Sequence, residues 1–228
     1  MATPILTVEQ MRRLDEFVIT RDNAAQKLMG RAGVALADEL GTFRNIAVVC
    51  GGGNNGGDGY AAIHFLQESN QLDGKNVKII YTKEPKSDES IHFFKGIHSE
   101  NVVFEQFSED TNLEGFDVIV DCLLGTGFGG VPRGSIKEAI ELINKTKEEN
   151  PSVKVISMDI NSGVNGDTGT GEIGIVSDIT VTIGYKKVGM LKPEFSKWTD
   201  EIVAKNIGYQ LTPENLGPFD SVTEIVWQ

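Results

Sequence analysis

Residues 45–67 read NIAVVC, then GGGNNGGDG, then YAAIHFLQ. The first six are a short apolar, partly β-branched run, the kind that suits a strand covered on both faces. The last eight carry a helical pattern. Between them, Gly51 to Gly59 holds six glycines in nine positions, and its only side chains are two amides and one carboxylate. A buried strand passing through a bare turn into a helix is the opening of a βαβ unit, and such units build parallel sheets with helices on both faces.

The rest of the chain repeats that rhythm. Strands are expected at 77–82, 101–107, within 116–125, and at 152–160, 178–184 and 201–208. Helices are expected at 89–98 and 134–149. Two more helices precede the first core strand. Thr7 with Gln10 is a capping-box pattern that opens one of them, running to about Ile19. The other runs from about Ala24 to Leu40 and stops at Gly41. The segment after residue 208 shows no clear pattern. The expected fold is α/β, a Rossmann-like three-layer αβα sandwich with a mostly parallel central sheet and two extra N-terminal helices. At 228 residues, one domain spanning 1–228 is expected.

In an open α/β sheet, ligands bind beyond the carboxyl ends of the strands. The glycine loop sits there, and glycines allow backbone amides to approach a ligand closely. Gly51, Gly53 and Gly56 match G-x-G-x-x-G, but the second strand ends Tyr81-Thr82-Lys83 without the acid that holds a ribose in dinucleotide dehydrogenases. No G-K-[ST] follows, so a Walker nucleotide loop is absent. Three further loops reach the same rim: VDCLLGTGFGGVPRG with Asp121, MDINSGVNGDTG with Asp159 and Ser162, and IGYKKVGM with Lys186 and Lys187. Asn55, Asp121 and Ser162 offer oxygens only, which select a hard cation over zinc or copper. Asp159 is the candidate proton-transfer group. The lysine pair reads as a solvated turn, with a phosphate clamp as the second reading.

A net charge of −12, from 21 basic and 33 acidic side chains, argues against general binding to nucleic acid or anionic membranes. The N-terminus lacks a secretory pattern, and no apolar run approaches the ~20 residues that span a bilayer. A cytoplasmic location is expected. Cys50 and Cys122, at the ends of neighbouring strands, are expected to be free core thiols.

Together the motifs LTVEQMRRLDEFVI, LMGRAGVALA, GGGNNGGDGYAA, VDCLLGTGFGG, DINSGVNGDTG and VTIGYKKVGM resemble the YjeF N-terminal domain family, over roughly residues 5–208. The chain has Gly52 and Asn161 where the family usually carries proline, and Asn161 is expected to loosen the turn that presents Ser162. The resemblance implies an isomerase, an NAD(P)H-hydrate epimerase that interconverts the R and S forms of hydrated NADH and NADPH in cofactor repair. It implies a potassium site at Asn55, Asp121 and Ser162. It implies a substrate site at Asn54, Asn55, Gly56, Gly57 and Asp58, at Gly125, Thr126, Gly127, Phe128, Gly129, Gly130 and Val131, and at Asp159, with Asp159 catalytic. A separate dehydratase, whose domain this sequence does not include, is the implied functional partner, and a homodimer is compatible with the apolar N-terminal helices. The alternative is a non-catalytic scaffold module of the same fold, related to nucleotide or RNA binding.

Overall fold

A computed structural model describes residues 3–22 and 24–228. Seven strands form the central sheet: β2 (Asn45–Cys50), β3 (Asn76–Tyr81), β4 (Val102–Gln106), β5 (Val118–Cys122), β6 (Lys154–Met158), β7 (Ser177–Ile183) and β9 (Thr199–Lys205). Their spatial order is β4-β3-β2-β5-β6-β7-β9, and every neighbouring pair is parallel. The chain grows outward from β2 through β3 to β4, then returns to lay β5 on the other side of β2. That reversal makes the carboxyl ends of β2 and β5 the topological switch point, the place where open α/β sheets take their ligands.

Helices α1 (Val8–Asp22), α2 (Ala25–Leu40), α3 (Asn54–Glu68) and α4 (Asp88–Gly96) cover one face, and α5 (Gly134–Glu149) covers the other. The sequence explains the boundaries. The Gln10 side chain accepts from the Thr7 N–H while the Thr7 hydroxyl accepts from the Gln10 N–H, which closes the expected capping box at the start of α1. The α5 bounds coincide with the amphipathic run 134–149. β2 and β5 are buried along nearly their whole length, as their unbroken apolar runs require. Cys50 and Cys122 are direct partners across that pair and are free, buried thiols. No described helix is long and apolar enough to cross a membrane.

A second, small sheet lies outside the expected elements. β1 (Pro4–Leu6), β8 (Lys186–Lys187) and β10 (Val226–Trp227) form it in the order β10-β1-β8. Leu6 pairs with Lys187 and Ile5 with Val226, so both ends of the chain meet beside the rim of the main sheet.

Candidate active site

The strand-end carboxylate Asp121 is fully buried. Its Oδ1 accepts from the Leu123 N–H at 3.2 Å and from the Ser162 hydroxyl at 2.5 Å. Its Oδ2 accepts from the Ser157 hydroxyl at 3.0 Å and the Ser162 N–H at 2.9 Å. Burial raises its carboxyl pKa, against the pull of these four donors. Asp121 and Ser162 therefore meet directly and tie the β5 and β6 loops together. The Ser162 oxygen also accepts from the Leu124 N–H, and the Leu124 carbonyl lies 3.2 Å away as a second acceptor for its proton.

The turn before Ser162 is firm, contrary to the expectation from Asn161. Asn161 is fully buried, its amide donates to the carbonyls of Ile175 and Trp198 and to the Ser177 hydroxyl, and its oxygen accepts from Thr180. These contacts, with the two amide protons shared among three acceptors, anchor the Asn161 side chain inside the protein.

Asn55 stands apart. It is buried, and neither its Oδ1 nor its Nδ2 has a hydrogen-bond partner among the described residues. Buried amides are almost always satisfied, so an orphaned one points to a missing ligand, ion or water. Asn55 is the second residue of α3, whose N-cap, Gly53, provides no capping side chain. The first amides of that helix thus lack both intrahelical acceptors and a capping side chain.

The glycines divide into two groups, and this corrects the expectation that the whole loop is bare for a ligand. A Cβ on Gly56 would fall 2.0 Å from the Gly51 carbonyl oxygen, and one on Gly57 2.2 Å from the Ser90 hydroxyl and 2.6 Å from the Met29 methyl. A Cβ on Gly59 would fall 3.0 and 2.9 Å from the sulfurs of Cys50 and Cys122. These three let α3 pack closely, and a side chain there strikes protein. Gly53, Gly127, Gly129 and Gly130 face open space. Asn54 is exposed, and Phe128 and Val131 are half-buried in the second loop. Gly57→Val is therefore expected to destabilise the fold by ~1–3 kcal/mol through overpacking, read by urea unfolding; unchanged stability would contradict this assignment.

Gly125 is where the two loops converge. A Cβ there would lie 3.3 Å from Asp159 Oδ2 and 3.4 Å from Asn55 Cβ. Asp159 has φ +65°, a left-handed backbone uncommon outside glycine. One carboxylate oxygen accepts from the Thr126 N–H at 3.2 Å, and the other accepts from Lys187 Nζ at 2.5 Å. Burial alone would raise the Asp159 pKa, but the Lys187 charge and hydrogen bond, with the Thr126 donors, outweigh it and hold it below the usual value. Lys187 is no solvated turn. It is fully buried, and its ammonium also donates to the Thr182 hydroxyl at 2.8 Å and the Ile183 carbonyl at 3.0 Å. All its protons are used inside the protein, so it does not clamp a phosphate.

Two more carboxyls belong to this cluster. Asp58, one turn into α3, is pushed well above its normal pKa, chiefly by burial and then by the charges of Asp159 and Asp15. Asp15, on α1, accepts from the Tyr209 hydroxyl and is raised to about 6, mainly by burial. Sequence reasoning placed Lys187 on the rim but read it as a solvated turn, and it missed Asp15.

These features define a Rossmann-type α/β protein whose strand-end loops carry a buried, hydrogen-bonded cluster of carboxylates, a serine and a lysine. The chain belongs to the YjeF-related protein N-terminus family, which matches residues 25–189. It is 33% identical to the NAD(P)H-hydrate epimerase of Rhodopirellula baltica, across 91% of this chain and 86% of that one. It is 32% identical to the NAD(P)H-hydrate epimerase of Limosilactobacillus reuteri (strain ATCC 55730 / SD2112), across 90% and 96%. The bifunctional NAD(P)H-hydrate repair enzyme Nnr of Thermofilum pendens is 33% identical across 88% of this chain but only 40% of its own length. Among solved structures, the yeast protein YNL200c shares the fold with a TM-score of 0.74, at 19% identity across 97% of this chain and 98% of that one.

Proposed function

We propose that this chain is an isomerase that interconverts the R and S forms of hydrated NADH and NADPH, with Asp159 as its proton-transfer group. The observation that carries the reading is the carboxylate of Asp159, kept ionised beside a buried ammonium and set next to the orphaned amide of Asn55. The names of its relatives in the same family agree with it.

Inverting a ring carbon that bears a hydroxyl requires that hydroxyl to leave and return on the other face, or the ring to open and reclose. Both routes begin with a proton transfer at that oxygen. An ionised Asp159 suits the second: it would accept the hydroxyl proton as the ring C–N bond breaks to leave a carbonyl, with the electron pair going to the ring nitrogen, and return that proton to the oxygen when the nitrogen adds to the other face. The free amides at the start of α3 and the open backbone of Gly127 to Gly130 suit the polar linker of a dinucleotide.

Asn55, Asp121 and Ser162 fit a potassium ion. The Asn55 oxygen is free, and if the Ser162 proton turns to the Leu124 carbonyl, Asp121 Oδ1 loses one donor and gains room for a cation. The ion would anchor the loops and offset the buried charge of Asp121. Potassium in place of tetramethylammonium is then expected to stabilise the parent, by about 2.7 kcal/mol at 100 times its Kd. Asn55→Ala should lose most of that difference in a thermal melt. An equal gain in both proteins would remove Asn55 from the ion site.

The activity is tested by supplying epimer-mixed hydrated NADH to an S-specific dehydratase, with and without this protein. Rapid consumption of the R form only when the protein is present supports the reading. Persistence of the R form contradicts it and favours a non-catalytic module. The dehydratase itself is the proposed functional partner.

A further inference from the structure

Lys187 is an odd residue to bury. Its ammonium is surrounded by Asp159, Thr182 and the Ile183 carbonyl, and nothing but protein receives its protons. Its backbone is held by pairing with Leu6 in β1, and β1 is held in turn by β10. The small sheet thus joins the two ends of the chain to one side chain. Above the aliphatic stem lies Gly166, whose missing Cβ would approach Lys187 Cγ at 3.6 Å. The result is a fixed charge at the end of a fixed lever.

We infer that Lys187 is a positioning residue for the proposed epimerisation, acting only through Asp159: its ammonium holds one carboxylate oxygen and so aims the other at Thr126 and Gly125. The small sheet made by both chain ends is the brace that holds it there. This rests on the epimerase reading. The charged groups facing Asp159 are Lys187 from β8, Asp58 from α3 and Asp15 from α1, the last bonded to Tyr209. Lys187 is the one cation of the three, so it is the group that favours the charged form of Asp159.

The test compares Lys187→Met, Lys187→Gln, Asp159→Asn and the Lys187→Met/Asp159→Asn double variant, with folding checked by circular dichroism. Activity is read on epimer-mixed hydrated NADH. With the charge gone, the Asp159 pKa rises, so the acid limb of kcat/KM should move up by ~1–3 pH units. Lys187→Gln, which keeps a donor but no charge, should move the limb as Lys187→Met does. The double variant should be no slower than Asp159→Asn alone, because Lys187 then has nothing left to act through. A parental pH profile in either lysine variant, or additive losses in the double variant, overturns the assignment. If Lys187→Met does not fold, the pH profile of Lys187→Gln decides in the same way. If the parent is inactive, the epimerase reading fails separately, and carboxyl-carbon NMR of Asp159 still decides: its pKa must rise in the lysine variants.

Discussion

Asp159→Asn is expected to lower epimerisation by ~10²–10⁴-fold while the protein still folds and still binds dinucleotide. The substitution keeps the side-chain shape and removes the group that carries a proton. Asparagine can still offer its oxygen to Lys187 Nζ, which sits 2.5 Å from Asp159 in the parent. The ammonium is then buried without its counter-charge, so some stability is lost. The remaining acceptors, Thr182 and the Ile183 carbonyl, keep that loss below the ~3–5 kcal/mol typical of deleting one partner of a buried pair. The decisive comparison is turnover against calorimetric binding of an NADP-type ligand. Lost turnover with retained binding assigns the proton transfer to Asp159. Near-parental turnover moves the chemistry to another group or to a water chain.

Asp121→Asn should be damaging in a different way. All four neighbours of the parent carboxylate are donors: two backbone N–H groups and two serine hydroxyls. An amide has one oxygen and one NH₂, so whichever way it turns, its NH₂ faces the N–H of Leu123 or of Ser162. A hydroxyl can rotate to accept; a backbone N–H cannot. Leaving one such donor unpaired costs about 1–3 kcal/mol, and the opposed NH₂ adds to that. The substitution also removes the only charged ligand proposed for the cation. Urea unfolding should show a lower midpoint, and potassium should no longer stabilise the variant. A variant as stable and as potassium-responsive as the parent would contradict the role of Asp121 as loop anchor.

Much of the frame was legible in the sequence because it is encoded locally. The run NIAVVC has no polar alternation to suggest an exposed face, and the Thr7–Gln10 box carries its own hydrogen-bond logic. The strand-end positions of Asp121 and Asp159 followed from those patterns, and the shared rim followed from parallel topology. What could not be read depends on partners distant in sequence. β1, β8 and β10 are too short for periodicity to register, and β10 meets β1 only because the whole fold brings the termini together. Lys187 looked solvated because two adjacent lysines usually are, and its burial depends on that small sheet. The glycines presented the opposite difficulty. Composition shows where side chains are missing, but not whether the vacated space belongs to a ligand, as the open sides of Gly127 and Gly129 allow, or to Met29, Ser90 and two cysteine sulfurs.

The central claim is that this site inverts one carbon of a hydrated nicotinamide ring. The most direct measurement starts from a single purified epimer of hydrated NADPH and follows it by NMR, with no dehydratase present. With the parent protein, signals of the other epimer should grow to an equilibrium mixture much faster than in buffer, and with Asp159→Asn they should grow hardly faster than in buffer. A folded parent protein that leaves the pure epimer unchanged at the buffer rate would contradict the claim.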